Sequence, residues 1–319
     1  MVFTNVEKAF VGKNVPKFPT NIPFIAVDNF PLLGKLAALR FIEWVADNPE
    51  GVISLPTGKT PEYFIEWVKR ILAQWDTAEG KEMRESYGLH LEKRPSLSGL
   101  HFVQIDEFYP ISPDQHNSFY NYVQKYYING FGLDPNKGLF INSNDIPLAD
   151  GKSYNEVFAD GIIDLGLRYR EPKNKIEELK QRSIFMIDDW CAEYEEKIRN
   201  MGGIGFFLGG IGPDGHIGFN EPNTPFDSVT HLVDLTENTI KDNSRLFNSI
   251  DEVPRQALSM GIKNIMQAKS ILMVVSGKNK AEAVRGMVKG EITPNLPASV
   301  LQLHPFVTII CDKDAASLL

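Results

Sequence analysis

The sequence predicts an α/β fold: a doubly wound, mostly parallel, Rossmann-like sheet with helices on both faces. Short β-branched runs alternate with stretches whose apolar residues recur at helical spacing, and polar, glycine-containing segments follow the runs. A hydrophobic share of 43% in 319 residues is ample for a large core, and a charged fraction of 23% fits a soluble globular chain. No composition shift divides the sequence, so one domain over 1–319 is expected, with excursions from the α/β core near 79–99 and 138–182.

Taken in order, the run from Phe24 to Val27 reads as a strand. Pro31 to Ala46 follows as a helix, with Leu32, Leu33, Leu36, Leu39, Ile42 and Val45 on one stripe. Gly51 to Leu55 is the next strand and Pro61 to Trp75 the next helix, Pro61 suiting a first turn because its missing N–H has no intrahelical partner there anyway. Leu100 to Ile105 reads as a strand ending in Asp106-Glu107. Ser183 to Asn200 reads as a surface helix carrying Ile187, Trp190, Tyr194 and Ile198. Ile204 to Leu208 is a strand running into a glycine-rich segment. Lys269 to Val275 is a strand, Lys280 to Val288 a helix, and Phe306 to Cys311 the last strand.

Charge and cysteine content narrow the chemistry. A net charge of −8 argues against a nucleic-acid partner, which needs a basic face, but leaves room for a small anion held by a few local cations and backbone N–H groups. Cys191 and Cys311 are far apart and no CxxC occurs, which points to buried thiols in a reducing compartment. The N-terminal stretch MVFTNVEKAFVGKNVPKF lacks the apolar core of a secretory signal, and runs such as Ile271 to Val275 are too short to span a bilayer. The expectation is a cytoplasmic protein with no membrane partner.

In an open α/β sheet, ligands bind beyond the carboxyl ends of the strands. Three polar clusters fall there. LPTGKTP at 55–61 joins a strand to a helix; Gly58 permits close backbone approach, and Thr57, Lys59 and Thr60 surround it, so it reads either as a phosphate cradle or as an ordinary βα turn. It lacks P-loop spacing. Asp106-Glu107 supplies either a general base or a cap for a helix or turn, and the alternation of strand side chains sends the two carboxylates opposite ways. GGIGPDGHIGFNEP at 209–222 packs Asp214, His216 and Glu221 into a permissive backbone that includes Gly210; acids beside a histidine fix its tautomer and stabilise its charged form. Divalent-metal ligation by the same three side chains is the rival there, set below acid–base work because no second histidine stands at a ligand spacing. Gly210, Gly212 and Gly215 match GxGxxG, yet no helix is expected to follow, so a dinucleotide site is not inferred. Arg245 and Lys280 add positive charge suited to a phosphate.

Together these segments, with DNSRLF at 242–247, SGKNKA at 276–281, ASVLQLHP at 298–305 and VTIICD at 307–312, resemble the glucosamine-6-phosphate deaminase family, which is related to 6-phosphogluconolactonase, from about Pro23 to Asp312. The resemblance implies conversion of glucosamine 6-phosphate and water to fructose 6-phosphate and ammonia, with no cofactor and no metal. It implies that Asp106 moves a proton between C2 and C1, that His216 opens the pyranose ring, and that Asp214 and Glu221 support it. Gly58, Thr60, Arg245 and Lys280 match positions near the substrate phosphate, and Thr57, Lys59 and Gly210 are further candidate substrate-binding residues beside them. The lactonases carry no acid matching Glu221, which favours the deaminase over a sugar-lactone hydrolase. A non-catalytic sugar-phosphate-binding regulator is the third reading. Lys59 departs from the family's small residue. Val229, His231 and Val233 stand where bacterial members place allosteric cations, so no activation by an acetylated sugar phosphate is expected. The resemblance also implies a homo-oligomer. The stop at Leu319, where the family continues into a helix, raises the expectation of a longer native polypeptide.

Overall fold

The alternation of strand side chains between two faces organises the molecule. A computed structural model describes residues 3–11 and 22–319; the N-terminal reading above falls partly on 1–2 and 12–18, outside them. Along the chain come α1 (Asn5–Val11), β1 (Phe24–Val27), α2 (Phe30–Asp47), β2 (Val52–Ser54), α3 (Glu62–Ala73), α4 (Ala78–Ser86), β3 (His101–Val103) and β4 (Asp106–Tyr109). Then follow α5 (Phe119–Val123), a π-helical turn (Gln124–Ile128), α6 (Asn129–Phe131), β5 (Gly138–Leu139), α7 (Tyr154–Val157) and α8 (Lys175–Asn200). The rest comprises β6 (Phe206–Gly209), β7 (His231–Asp234), α9 (Glu237–Asn243), β8 (Gln256–Ser259), α10 (Ile262–Met266), β9 (Ile271–Val275), α11 (Ala281–Lys289) and β10 (Val307–Asp312).

Seven strands form one sheet in the order β1-β10-β9-β6-β2-β3-β5, and every neighbouring pair is parallel. Successive strand residues serve opposite cores. Ile53, Phe206, Leu208, Leu272 and Val274 pack with α2 and α3, whereas Val52, Phe207, Ile271, Met273 and Val275 pack with α8 and α11. Helices therefore cover both faces, and the sheet is doubly wound as the sequence predicts.

Three differences from the predicted elements have physical causes. First, the strand from Leu100 ends at Val103, and Asp106-Glu107 do not terminate it; they open β4 in a separate three-stranded antiparallel sheet, β4-β8-β7. Gln104, almost fully buried, manages the transfer: its N–H still reaches Leu139 of the parallel sheet, while its amide donates to the Asp106 carbonyl and accepts from the Ile141 N–H. One residue on, the Ile105 carbonyl already accepts from Met260 beside β8. Second, the helix predicted over 183–200 begins at Lys175, because the Asn174 carboxamide caps the Ile176 and Glu177 N–H groups and Glu177 and Glu178 complement the dipole. Its Ile187, Cys191, Tyr194 and Ile198 are buried, so only its outer face lies at the surface. Third, the 138–182 excursion starts as part of the core: Gly138–Leu139 is the sheet's edge strand.

Among the described residues, no helix is long and apolar enough to cross a membrane.

Candidate active site

Strand order fixes where a ligand can enter. The chain leaves β2 toward β3 on one side and β6 toward β9 on the other, although β2 and β6 are neighbours. Their following loops diverge and open a crevice between them. A cavity of about 610 Å³ lies there. Its walls are the turn after β2, the loop after β6, the turn after β9, the start of β4 and two later segments, 116–119 and 242–246.

The turn after β2 contributes Thr57, Gly58, Lys59 and Thr60. Gly58 has φ +78°, a left-handed conformation that side chains with a Cβ resist. Thr60 packs against Gly210, where an added Cβ would stand 3.2 Å from Thr60 Cγ2, so a glycine at 210 lets the two loops meet. Among the described residues, the backbone N–H groups of 57–60 make no hydrogen bond within the protein, which leaves donors for an anion.

After β9, Asp312 at the end of β10 shapes the third wall. Its carboxylate accepts from Ser276 Oγ at 2.5 Å and from Gly277 N–H at 3.1 Å, holding the turn that delivers Lys280 to the cavity. Burial lowers the Lys280 pKa to about 8, opposed by Asp242 and Asp214 and reinforced by Arg245. Arg245, in the turn after α9, lines the same cavity.

Asp106 and Glu107 take opposite sides of β4. Asp106 lies at the bottom of the cavity, against the glycine-rich loop; a Cβ built on Gly218 would stand 3.5 Å from Asp106 Oδ2. Burial, aided by the Glu107 charge, raises the Asp106 pKa to about 8. Glu107 is wholly buried on the far side and caps α5: its carboxylate accepts from Phe108 N–H, Phe119 N–H, Tyr120 N–H and Ser118 Oγ at 2.7–3.0 Å. Of the two alternatives left open by the sequence, the cap falls to Glu107, and Asp106 is the carboxylate that faces the cavity.

His216 lines the cavity from the loop after β6. Its ring lies flat on Gly212, where an added Cβ would meet Cε1 at 2.1 Å. Nδ1 is 2.7 Å from Asp214 Oδ1, without the alignment of a hydrogen bond. Burial works to raise the Asp214 pKa, but His216 and its backbone N–H hold it below the ordinary carboxylate value. Glu221 is not brought to the cavity wall. It is buried, its Oε2 accepts from Thr236 N–H at the start of α9 at 2.9 Å, and its Oε1 has no partner among the described residues. Among these residues no three His, Cys, Asp or Glu side chains gather as a metal-binding group.

The sequence reading passed over the segment that carries His116, Asn117 and Phe119 onto the wall. Asn117 Nδ2 donates to the Leu246 carbonyl at 3.1 Å, bridging to the Arg245 turn, while its buried Oδ1 has no partner among the described residues. The signal available was weak: a polar HNS between an acidic pair and an aromatic run, indistinguishable from a plain loop.

Fold and cavity together define an α/β protein that presents a turn with open backbone N–H groups, a carboxylate and a histidine to one crevice at the switch point of its sheet. A family profile for glucosamine-6-phosphate isomerases/6-phosphogluconolactonase matches residues 91–309, and the chain belongs to that family. It is 36% identical over 292 residues to a glucosamine-6-phosphate deaminase of Alkaliphilus oremlandii, covering 92% of this chain and 98% of the relative. It is 36% identical over 285 residues to the deaminase of Clostridium novyi, covering 89% and 95%. The solved structure of a monomeric glucosamine-6-phosphate deaminase superposes with a TM-score of 0.73 at 31% identity, over 93% of this chain and all of that one. The 6-phosphogluconolactonase of Leishmania guyanensis shares the fold, with a TM-score of 0.59 at 16% identity over 92% of this chain and 97% of that one.

Proposed function

We propose that this chain catalyses the isomerising deamination of an amino-sugar 6-phosphate, taking glucosamine 6-phosphate and water to fructose 6-phosphate and ammonia. The observation that carries this reading is that Asp106 and His216 face the same cavity as the 57–60 turn, Arg245 and Lys280. Relatives bearing the deaminase name, matched over 98% and 95% of their own length, support it.

The phosphate sits against the open N–H groups of 57–60, with Lys59, Arg245 and Lys280 supplying charge. Its binding energy orients carbons remote from it. His216 carries a proton between O1 and the ring oxygen, breaking the C1–O5 bond to give the open-chain aldehyde; the Asp214 charge steadies the imidazolium formed in transit. Asp106 removes the C2 proton as a proton of the C2 ammonium passes to O1, giving an enolamine. The same carboxyl returns the proton to C1, leaving a ketimine at C2. Water adds to that carbon and ammonia departs, giving the ketose. Glu221, off the cavity wall and with Oε1 unpartnered among the described residues, is the remaining acid assigned to support His216.

Coupled detection of fructose 6-phosphate and ammonia tests the reading directly, and equimolar release of both is the expected result. Rapid hydrolysis of 6-phosphogluconolactone with no ammonia would select the lactonase chemistry instead. Ligand-induced thermal stabilisation without any turnover would select a binding protein.

Gly212 offers a more local test. An alanine there forces the His216 ring away from its seat and from Asp214, since the ring lies where the new methyl must go. Gly212→Ala is expected to lower kcat by roughly 10²-fold, in line with the cost of misplacing a catalytic group by about 1 Å. KM should change little, because the phosphate wall is untouched. Unchanged kcat would remove His216 from the chemistry.

A further inference from the structure

The turn after β2 is held from outside by two tyrosines. Tyr127 Oη donates to the Pro56 carbonyl at 2.6 Å, and Tyr122 Oη donates to the Gly58 carbonyl at 3.0 Å. Both come from the α5–π segment, 64 and 71 residues away in sequence. Tyr127 is fully buried, and burial raises both phenol pKa values, so the two hydroxyls remain donors throughout the working pH range.

In a trans peptide the C=O and the following N–H point in opposite directions. Tying back the Pro56 carbonyl aims the Thr57 N–H the other way, and tying back the Gly58 carbonyl does the same for the Lys59 N–H. These N–H groups have no acceptor within the protein among the described residues. Turned toward the tyrosines, the two carbonyl oxygens point away from the side on which the N–H groups would meet an anion. The spacing of the tyrosines fits the local helix. Residues five apart diverge on an α-helix of 3.6 residues per turn, but a wider π turn brings them nearer. The π segment Gln124–Ile128 sets the Tyr122 and Tyr127 ring centroids 6.0 Å apart.

We infer that Tyr122 and Tyr127 are positioning residues for the substrate phosphate, pre-orienting the 57–60 turn so that its N–H groups meet the anion without rearrangement. The inference rests on the deaminase reading only in assigning a phosphate to this turn.

The test uses Tyr122→Phe, Tyr127→Phe and the double variant of the full chain, with Tyr126→Phe as a control on the same segment. Kinetics on glucosamine 6-phosphate are paired with calorimetric titration of inorganic phosphate, which needs no turnover. Each single variant should raise KM and weaken phosphate binding by about 5-fold, the size of one net hydrogen bond. kcat should stay within about 2-fold, since the interaction serves binding alike in ground and transition states. The double variant should lose more than either single one, and Tyr126→Phe should match the wild type. A lowered melting temperature with KM and phosphate affinity unchanged would overturn the inference, because the tyrosines would then be structural only. A loss confined to Tyr122→Phe would also overturn it, since Tyr122 lines the cavity and would be acting by direct contact. If the wild type turns over no amino-sugar phosphate but binds inorganic phosphate, and the Phe variants weaken that binding, the deaminase reading fails while this one stands.

Discussion

Asp106→Asn is expected to lower kcat by roughly 10²–10⁴-fold, the range for removing a positioned acid–base group, while leaving the fold intact. Asparagine fills the same volume at the cavity floor but cannot take a proton from carbon. The pH dependence gives a second readout. The Asp106 pKa is raised by burial and by Glu107 to about 8. The carboxylate is therefore the minor form at neutral pH, and kcat/KM of the wild type should climb as pH rises toward 8 and then level with respect to this group. Stability moves the other way. With a folded pKa near 8 and an unfolded value near 3.8, the folded chain binds more protons across that window. Stability from this site is therefore full below pH 4 and declines as pH rises through 8. Asparagine removes the slope, so the variant should melt at the wild-type temperature in acid and above it at pH 8–9. An activity loss without this gain would indicate a distorted fold, and wild-type kcat in the variant would eliminate Asp106 as the base.

Much of the parallel sheet was legible because its signals are local. Runs such as ILMVV at 271–275 are apolar on both faces, and the helices between them show a clean stripe. The antiparallel sheet was not legible. Its strands are four residues each and half polar, and β4 pairs with β8 across more than a hundred residues, so nothing near Asp106 announces β8. The end of the strand at Val103 was equally hidden, since it depends on one buried glutamine bonding to chain 37 residues away. At the site, glycine and strand-end position singled out Thr57–Thr60, Asp106, Gly210 and His216, and these share one cavity. Asp214 was legible as the partner of His216 because the two stand only two positions apart. The place of Glu221 behind the loop was not, because it is set by the start of α9, fifteen residues on. The tyrosine struts were invisible for the same reason: their targets are backbone carbonyls far away in sequence.

Glu107→Ala should be among the most destabilising single substitutions in the chain, costing about 3–5 kcal/mol, as expected when a buried carboxylate leaves its partners unpaired. The side chain is wholly buried and gathers Phe108, Ser118, Phe119 and Tyr120 onto one carboxylate. Without it, the N–H groups at the start of α5 lose their acceptor in a site that water reaches poorly, and Phe108 loses its anchor among Phe119, Phe219 and Phe247. Burial raises the Glu107 pKa to about 7 even though the four donors pull the other way, so the charged form that holds these donors predominates in mildly alkaline buffer, where the measurement belongs. Denaturant unfolding at pH 8 should show a large drop in midpoint with an unchanged slope. Glu107→Gln should lose less, because the amide oxygen still accepts from two of the backbone N–H groups while its NH₂ opposes the others. The comparison with Asp106 is the sharper part of the prediction. Adjacent acids on one strand should separate cleanly, Asp106→Asn removing turnover from a protein that stays folded and Glu107→Ala removing the fold around a base that is still present. Equal stability in Glu107→Ala and wild type would mean that α5 is held by other contacts, and the capping role would be lost.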